Sequence, residues 1–314
     1  MKVLFRYDCG PNLAARLSAF ADQGLEIATC SEADDTAYAR RKAEAEVLWH
    51  VLKPVTAAHI AAAPRLRLIQ KIGVGVNTID LAAARERGIA VCNMPGTNSR
   101  AVAEMALLLM LAALRRSPAL DAATRRGEGW AAGPRWQESY GEVAGRTVGL
   151  VGYGAVPQIL APILAAMGAR VLYTARKPHP GATGEFHPLA ELLADSDIVS
   201  LHVPLVPETA NMIDAKALAR MKPGAILVNT ARGGLVDEGN LIEALISGQL
   251  AAAGLDVFVH EPIASDNALL TLDNVVLAPH VAWLTPETFD RSLGVAAENC
   301  RRLAKGEALL HRVV

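Results

Sequence analysis

Cysteine is scarce, with only Cys9, Cys30, Cys92 and Cys300 in 314 residues and no C-x-x-C pair among them. Such spacing disfavours a disulfide framework and a zinc site alike, and leaves reduced, buried thiols as the plain reading, with no metal. An excess of charge is missing too. Thirty-one Lys and Arg against 32 Asp and Glu leave a formal charge of −1. That provides no positive field for nucleic acid or an anionic membrane, so a phosphate-bearing partner has to be met locally. Long apolar runs are also absent. The longest, Met105 to Leu114, follows Glu104 and falls well short of the ~20 residues that span a bilayer. The opening stretch Met1-Lys2-Val3-Leu4-Phe5-Arg6 meets charge too early for the core of a signal peptide. The expectation is a cytoplasmic protein with neither a membrane nor a nucleic-acid partner.

Hydrophobic residues make up 52% of the chain and charged residues 20%, the composition of a folded protein. At ~150 residues per domain the length suggests two domains. Short apolar runs alternate with Ala/Leu-rich stretches of helical period, which predicts an α/β fold with parallel sheets. In the first third, strands are expected at Val3–Arg6, Leu25–Ala28, Val47–Trp49, Leu66–Gln70 and Ile89–Cys92. The turn cluster Met94-Pro95-Gly96-Thr97-Asn98 then offers a cap for a long helix running to about Arg116, and marks a domain boundary. Between Ser117 and Val143 the chain reads as polar and irregular, with Gly127, Gly129, Gly133, Pro134, Trp130 and Trp136. An arm against a second subunit is one use for such a segment. A second series of six strands is expected near 147–151, 170–173, 197–201, 225–228, 252–255 and 274–277. A final helix is expected over Thr285–Lys305.

Gly149-Leu150-Val151-Gly152-Tyr153-Gly154-Ala155-Val156-Pro157 follows an apolar strand and opens a helix, the context of a dinucleotide-binding turn. Gly152 permits the tight turn, Gly154 admits a pyrophosphate, and the helix N-terminus offers free N–H groups. Proline stands at 157 where a third glycine is usual, and Pro162 is expected to distort the helix further. The next strand ends at Ala175-Arg176-Lys177 rather than at an acid that could bind ribose hydroxyls. The small residue and the two cations favour NADP(H), with NAD(H) as the lesser possibility. A solvated basic turn is the bland reading.

Three stretches past later strands each carry one chemically capable side chain: Arg232 in Asn229-Thr230-Ala231-Arg232-Gly233-Gly234, Glu261 in Phe258-Val259-His260-Glu261-Pro262, and His280 in Ala278-Pro279-His280-Val281-Ala282-Trp283. With Lys71-Ile72-Gly73-Val74-Gly75-Val76-Asn77 and Met94-Pro95-Gly96-Thr97-Asn98, this order resembles the D-isomer-specific 2-hydroxyacid dehydrogenase family. Within it, the stretch Tyr173-Thr174-Ala175-Arg176-Lys177-Pro178 resembles that of the NADPH-dependent glyoxylate/hydroxypyruvate reductases.

The resemblance implies two doubly wound Rossmann-like domains with the active site in the cleft between them. Residues 1–97 plus 285–314 would form the substrate-binding domain and 98–284 the dinucleotide-binding domain. It implies that Arg232 holds the substrate carboxylate and carbonyl, that His280 gives the proton, and that Glu261 orients the imidazole and favours its charged form. Lys71, Val74, Gly75, Asn98 and Trp283 would contact substrate. Gly152, Gly154, Ala155, Val156, Ala175, Arg176, Lys177, His202, Val203, Pro204, Thr209, Thr230, Ala231 and Asp256 would contact cofactor.

Implied as well are a small 2-oxo or 2-hydroxy acid as substrate and a homodimer built on the long helix and the arm that follows it. Two other readings stay open: a nicotinamide-gated regulator of the corepressor type on the same fold, and a phosphite-type oxyanion dehydrogenase. His50, His59, His179, His187, His260 and His311 lack comparable context and read as structural or surface residues.

Overall fold

A computed structural model of the chain describes residues 1–130 and 140–314. Gly133, Pro134 and Trp136 of the expected arm lie outside the described residues. The chain divides into two compact units, one of Met1–Asn98 with Thr285–Val314 and one of Ser99–Leu284. Among the described residues no helix is long and apolar enough to cross a membrane.

In the first unit, strands β1 (Lys2–Arg6), β2 (Glu26–Cys30), β3 (Val47–His50), β4 (Leu68–Lys71) and β5 (Ala90–Cys92) form a parallel sheet in the order β2-β1-β3-β4-β5. This is a doubly wound order that reverses between β1 and β3. Strands β3 and β4 are buried along their whole length, as expected where helices cover both faces of a parallel sheet. The helix Pro286–Lys305 belongs to this unit. Thr285 caps it, proline opens it, and Gly306 closes it in the left-handed region at φ 69°. Asn299 on that helix donates to the buried Gln70 Oε1 at 2.6 Å, tying the chain's last helix to β4.

In the second unit, β6 (Thr147–Val151), β7 (Arg170–Thr174), β8 (Glu185–Phe186), β9 (Ile198–Leu201), β10 (Ala225–Asn229), β11 (Leu250–Leu255) and β12 (Val275–Leu277) pair in parallel in the order β12-β11-β10-β9-β6-β7-β8. One apolar layer packs Leu192, Leu201, Leu227 and Leu241 on one face. The helix Ser99–Arg115 supplies Ala106, Leu109 and Met110 to a second layer that also contains Leu150 and Val228. A Cβ at Gly254 would meet Leu109 Cβ at 2.8 Å, so glycine in β11 is what lets this helix approach the sheet.

Two expectations need correction. The second sheet has seven strands rather than six. Glu185–Phe186 is two residues long and exposed at both, so it carries no apolar run to read. The segment after the long helix is not irregular throughout, because Ser117–Arg125 forms a helix that starts at Ser117-Pro118 after Arg116 turns the backbone at φ 48°. Pro162 lies inside the helix Ala155–Ala166, on its exposed face, and leaves the carbonyl of Gln158 without the usual N–H donor.

Candidate active site

All neighbouring strands of the second sheet are parallel, so the loops that follow them leave the same edge. Strand order turns scattered positions into a row along that edge: His280 after β12, Asp256 and Glu261 after β11, Thr230 and Arg232 after β10, His202 after β9, Gly152 and Gly154 after β6, and Ala175 to Lys177 after β7. At about 4.8 Å per strand, the five steps from β12 to β7 span roughly 24 Å. The acid–base candidates stand at one end of the row and the basic turn at the other. The order reverses at β6, which has β7 on one side and β9 on the other, and open α/β sheets bind ligands at such a crevice.

His280 and Glu261 meet through a 2.6 Å contact between Nδ1 and Oε2. The other oxygen of Glu261 accepts the Phe258 N–H at 3.0 Å, which fixes the carboxylate's orientation. Burial pushes the Glu261 carboxyl up, but the bonds from His280 and Phe258 and the charge of Arg232 outweigh it and hold the group below its ordinary value. With Nδ1 engaged, Nε2 is the ring nitrogen left for a substrate.

His280 itself sits at φ 57°, a left-handed conformation uncommon for a residue with a Cβ. Asp256 holds that turn. Its carbonyl accepts the His280 N–H at 2.8 Å, and its carboxylate oxygens accept the N–H groups of Val281 and Ala282 at 2.8 and 2.9 Å. The Asp256 side chain is fully buried, which raises its carboxyl, while the two amides pull it back down. Trp283 closes the turn from the other side, its indole N–H donating to the His280 carbonyl at 3.1 Å.

Arg232 is carried by a loop that Asn229 shapes. The Asn229 amide group donates to the Arg232 carbonyl at 2.8 Å and accepts the Ala231 N–H at 3.0 Å. The guanidinium donates to the Ala231 carbonyl at 2.6 Å. Burial lowers the Arg232 pKa, and Glu261 opposes that shift. Next to it, a Cβ at Gly233 would overlap the backbone of Phe258 and Val259. The Arg232 loop is therefore pressed against the loop that orients Glu261. Asn229 and Asp256 acting as latches went unread in the sequence, although a polar residue closing an apolar strand is a signal that it needs partners.

The turn after β6 has the properties a dinucleotide needs. Gly152 lies at φ 101°, where a Cβ would come within 2.8 Å of the His202 carbonyl oxygen. Gly154 caps the helix Ala155–Ala166 without a side-chain bond, and nothing lies within 4 Å of where its Cβ would stand. The helix thus opens on an exposed glycine, and its first N–H groups have no intrahelical acceptor. Thr230 adds a buried hydroxyl with no partner among the described residues. Pro157 is buried in the first turn of that helix. These features fit a bound dinucleotide.

His202 contacts Ser200 Oγ at 2.9 Å, and desolvation lowers its pKa to about 3, so it is neutral at physiological pH. Thr209 accepts the Val206 N–H and donates to the Pro204 carbonyl, closing the loop that contains Val203 and Pro204. Ala175 is half-buried, and Arg176 and Lys177 are exposed.

Lys71, Val74, Gly75 and Asn98 belong to the first unit. Lys71 is buried at the end of β4 and donates to the Val51 carbonyl. Gly73, at φ 141°, accepts the Met94 N–H, and Val74 accepts from the Asn93 side chain at 2.9 Å. These bonds hold the 73–75 turn against the segment that leads to Asn98.

Residues 107–282 match the family described as D-isomer specific 2-hydroxyacid dehydrogenase, NAD binding domain. The chain is 44% identical over 260 residues to a glyoxylate reductase of Korarchaeum cryptofilum, covering 81% of this chain and 78% of that protein. It is equally 44% identical over 257 residues to a D-3-phosphoglycerate dehydrogenase of Mycobacterium bovis. That match covers 81% of this chain but 48% of the relative, so the chain spans about half the length of that protein. Among solved structures, the TT0316 protein from Thermus thermophilus superposes with a TM-score of 0.91 at 37% identity over the whole of both chains.

Proposed function

Because this chain belongs to the D-isomer specific 2-hydroxyacid dehydrogenase family, we propose that it reduces a small 2-oxo acid to the D-2-hydroxy acid, and can run the reverse reaction, with NADP(H) preferred over NAD(H). Glyoxylate and hydroxypyruvate are the substrates of choice. The observation that carries the reading is the 2.6 Å Glu261–His280 pair, set on a latched turn beside the Arg232 loop.

The guanidinium of Arg232 bonds the substrate carboxylate and the 2-oxo oxygen, for which its planar fork of donors is suited. A nicotinamide, when bound, supplies the hydride for C2. His280 Nε2 gives its proton to the oxygen as negative charge develops there, and Glu261 stabilises the imidazolium beforehand. In the oxidative direction the same nitrogen takes the hydroxyl proton. The amides of Val74 and Gly75 are assigned to the carboxylate, and Lys71, Asn98 and Trp283 to the substrate pocket.

Gly152, Gly154, Ala155 and Val156 are assigned to the pyrophosphate, His202, Val203, Pro204, Thr209, Thr230, Ala231 and Asp256 to the remainder of the cofactor surroundings, and Ala175, Arg176 and Lys177 to the 2′-phosphate. The first unit acts as the substrate domain and the second as the dinucleotide domain. The protein works as a homodimer, for which the exposed Leu108 on the long helix offers apolar surface.

The test is NADPH oxidation by the purified protein against glyoxylate, hydroxypyruvate, larger 2-oxo acids and phosphohydroxypyruvate, repeated with NADH. Turnover highest with glyoxylate or hydroxypyruvate is expected. No turnover with any member of the panel and either cofactor overturns the reading.

A further inference from the structure

The loop that carries Arg176 and Lys177 runs from β7 to the two-residue strand β8, and three contacts fasten it. The Tyr173 hydroxyl accepts the His179 N–H at 2.9 Å. The Tyr153 hydroxyl donates to the Thr183 carbonyl at 3.0 Å. Gly184, at φ 110°, lies so close to β7 that a Cβ would stand 2.7 Å from the Val171 carbonyl oxygen.

The two tyrosines are themselves packed together. Their ring centroids lie 4.2 Å apart, the His179 ring sits 5.4 Å from Tyr153, and Phe186 meets Tyr173 edge-on at 5.7 Å. Both rings are buried, Tyr153 at 6% and Tyr173 at 2% exposure. Buried phenols make their hydroxyl bonds in a low-dielectric setting, where those bonds hold best. Tyr153 also lies inside the glycine turn, between Gly152 and Gly154, and the Gly152 N–H donates to the Thr174 carbonyl at 2.9 Å. One aromatic cluster therefore anchors both the turn after β6 and the basic loop after β7.

We infer that the Tyr153 and Tyr173 hydroxyls are specificity-determining positioning groups, which hold the 175–184 loop so that Arg176 and Lys177 meet the 2′-phosphate of NADP(H) already ordered. This inference rests on the NADP(H) reading above. Long cationic side chains on a loose loop lose binding strength to the ordering of that loop, and a prefastened loop avoids the loss. NADH presents only ribose hydroxyls at that position and has no use for the fastening. Neither hydroxyl is required to touch the cofactor.

The experiment measures Michaelis constants and dissociation constants for NADPH and NADH in wild type, Tyr153→Phe, Tyr173→Phe and Arg176→Ala, and in each Phe variant combined with Arg176→Ala. The Phe variants keep the ring cluster and lose only the hydroxyls. Each should weaken NADPH about 3- to 10-fold, the effect expected of one lost neutral hydrogen bond. The constants for NADH and the maximal rate at saturating NADPH should stay within about twofold. In the Arg176→Ala background the same substitutions should change NADPH binding by less than they do in the wild type, because one of the two cations they position is gone. A role in packing alone would lower the melting temperature and leave the NADPH-to-NADH ratio where it was. That outcome in both Phe variants overturns the inference while leaving the NADP(H) reading intact. Equal binding of the two cofactors by the wild type overturns both.

Discussion

Replacing Asp256 with asparagine changes no heavy-atom count, yet it strikes the turn that presents His280. The native carboxylate accepts two N–H groups, from Val281 at 2.8 Å and Ala282 at 2.9 Å, in a fully buried position. An amide keeps one acceptor oxygen and turns its NH2 toward the other N–H, so one bond is lost and two buried donors face each other. Losing a hydrogen bond to a charged acceptor costs about 1.5–3 kcal/mol, and leaving a buried donor unsatisfied costs about 1–3 kcal/mol. Against this stands the desolvation that raises the Asp256 carboxyl, which the neutral amide relieves. The net expectation is roughly 3 kcal/mol of destabilisation. At ~2–4 °C per kcal/mol for a unit of this size, that is a fall in melting temperature of about 6–12 °C.

The catalytic effect should be larger than the loss of stability suggests. His280 sits in a left-handed turn that these bonds hold, and a displacement of about 1 Å at a reacting group costs on the order of 100-fold. Steady-state kinetics should show the loss mainly in kcat. Had Asp256 served chiefly to bind cofactor, the loss would fall on the Michaelis constant for cofactor instead. An unchanged melting temperature with kcat within twofold of wild type would refute the latch.

Other substitutions test the remaining parts of the site. His280→Ala should lower turnover by about 100-fold or more, in line with the ~10²–10⁴ usual for acid–base catalysis, while cofactor binding measured by fluorescence titration persists. Glu261→Gln keeps the shape and removes the charge, so kcat/KM should fall by about 10- to 150-fold, corresponding to ~1.5–3 kcal/mol for a charge-assisted bond. The same variant has a pH signature. The folded-state carboxyl lies below its ordinary value, so its stabilisation is present above the unfolded pKa of ~4.3 and is lost as pH falls through the lowered value. Urea unfolding between pH 5 and 3 should thus show a shallower decline for Glu261→Gln than for wild type. Arg176→Ala should raise the Michaelis constant for NADPH about 10- to 150-fold, and Ala175→Asp should go further by repelling the 2′-phosphate. Parallel titrations with both cofactors check this pair.

Much of the second sheet was legible because its strands are covered on both faces. Ala225–Asn229 and Ile198–Leu201 are buried at every residue, which leaves short runs that are apolar except at Ser200 and the closing Asn229. Glu185–Phe186 left no such trace, being an exposed edge held by backbone pairing with Leu172 and Tyr173. Among the described residues the Ser117–Arg125 helix buries only Ala123, and this short stretch stands directly before the glycines and tryptophan that gave the whole segment its irregular reading. Arg232, Glu261 and His280 could be named because each ends a distinctive stretch after a strand. What fastens them could not. The bonds from Asp256 to Val281 and Ala282 join the ends of two strands that become neighbours only when the sheet is assembled, and the sequence does not record which loops will touch. The Tyr153 and Tyr173 staple was hidden for the same reason.

The bare backbone contact at Gly233 makes two loops into one part. With the Arg232 loop seated directly on Phe258 and Val259, neither loop can be redrawn while the other stays as it is. A library that randomises residues 230–234 alone should recover glycine at 233 almost without exception, and grafts from other proteins should succeed only when both loops travel together. The 175–184 turn leaves the same sheet edge four strands away from β11, is fastened to the turn after β6 instead, and can be exchanged together with that turn and apart from the Arg232 loop. Selection for a new acceptor and selection for a new electron carrier can then proceed along separate routes.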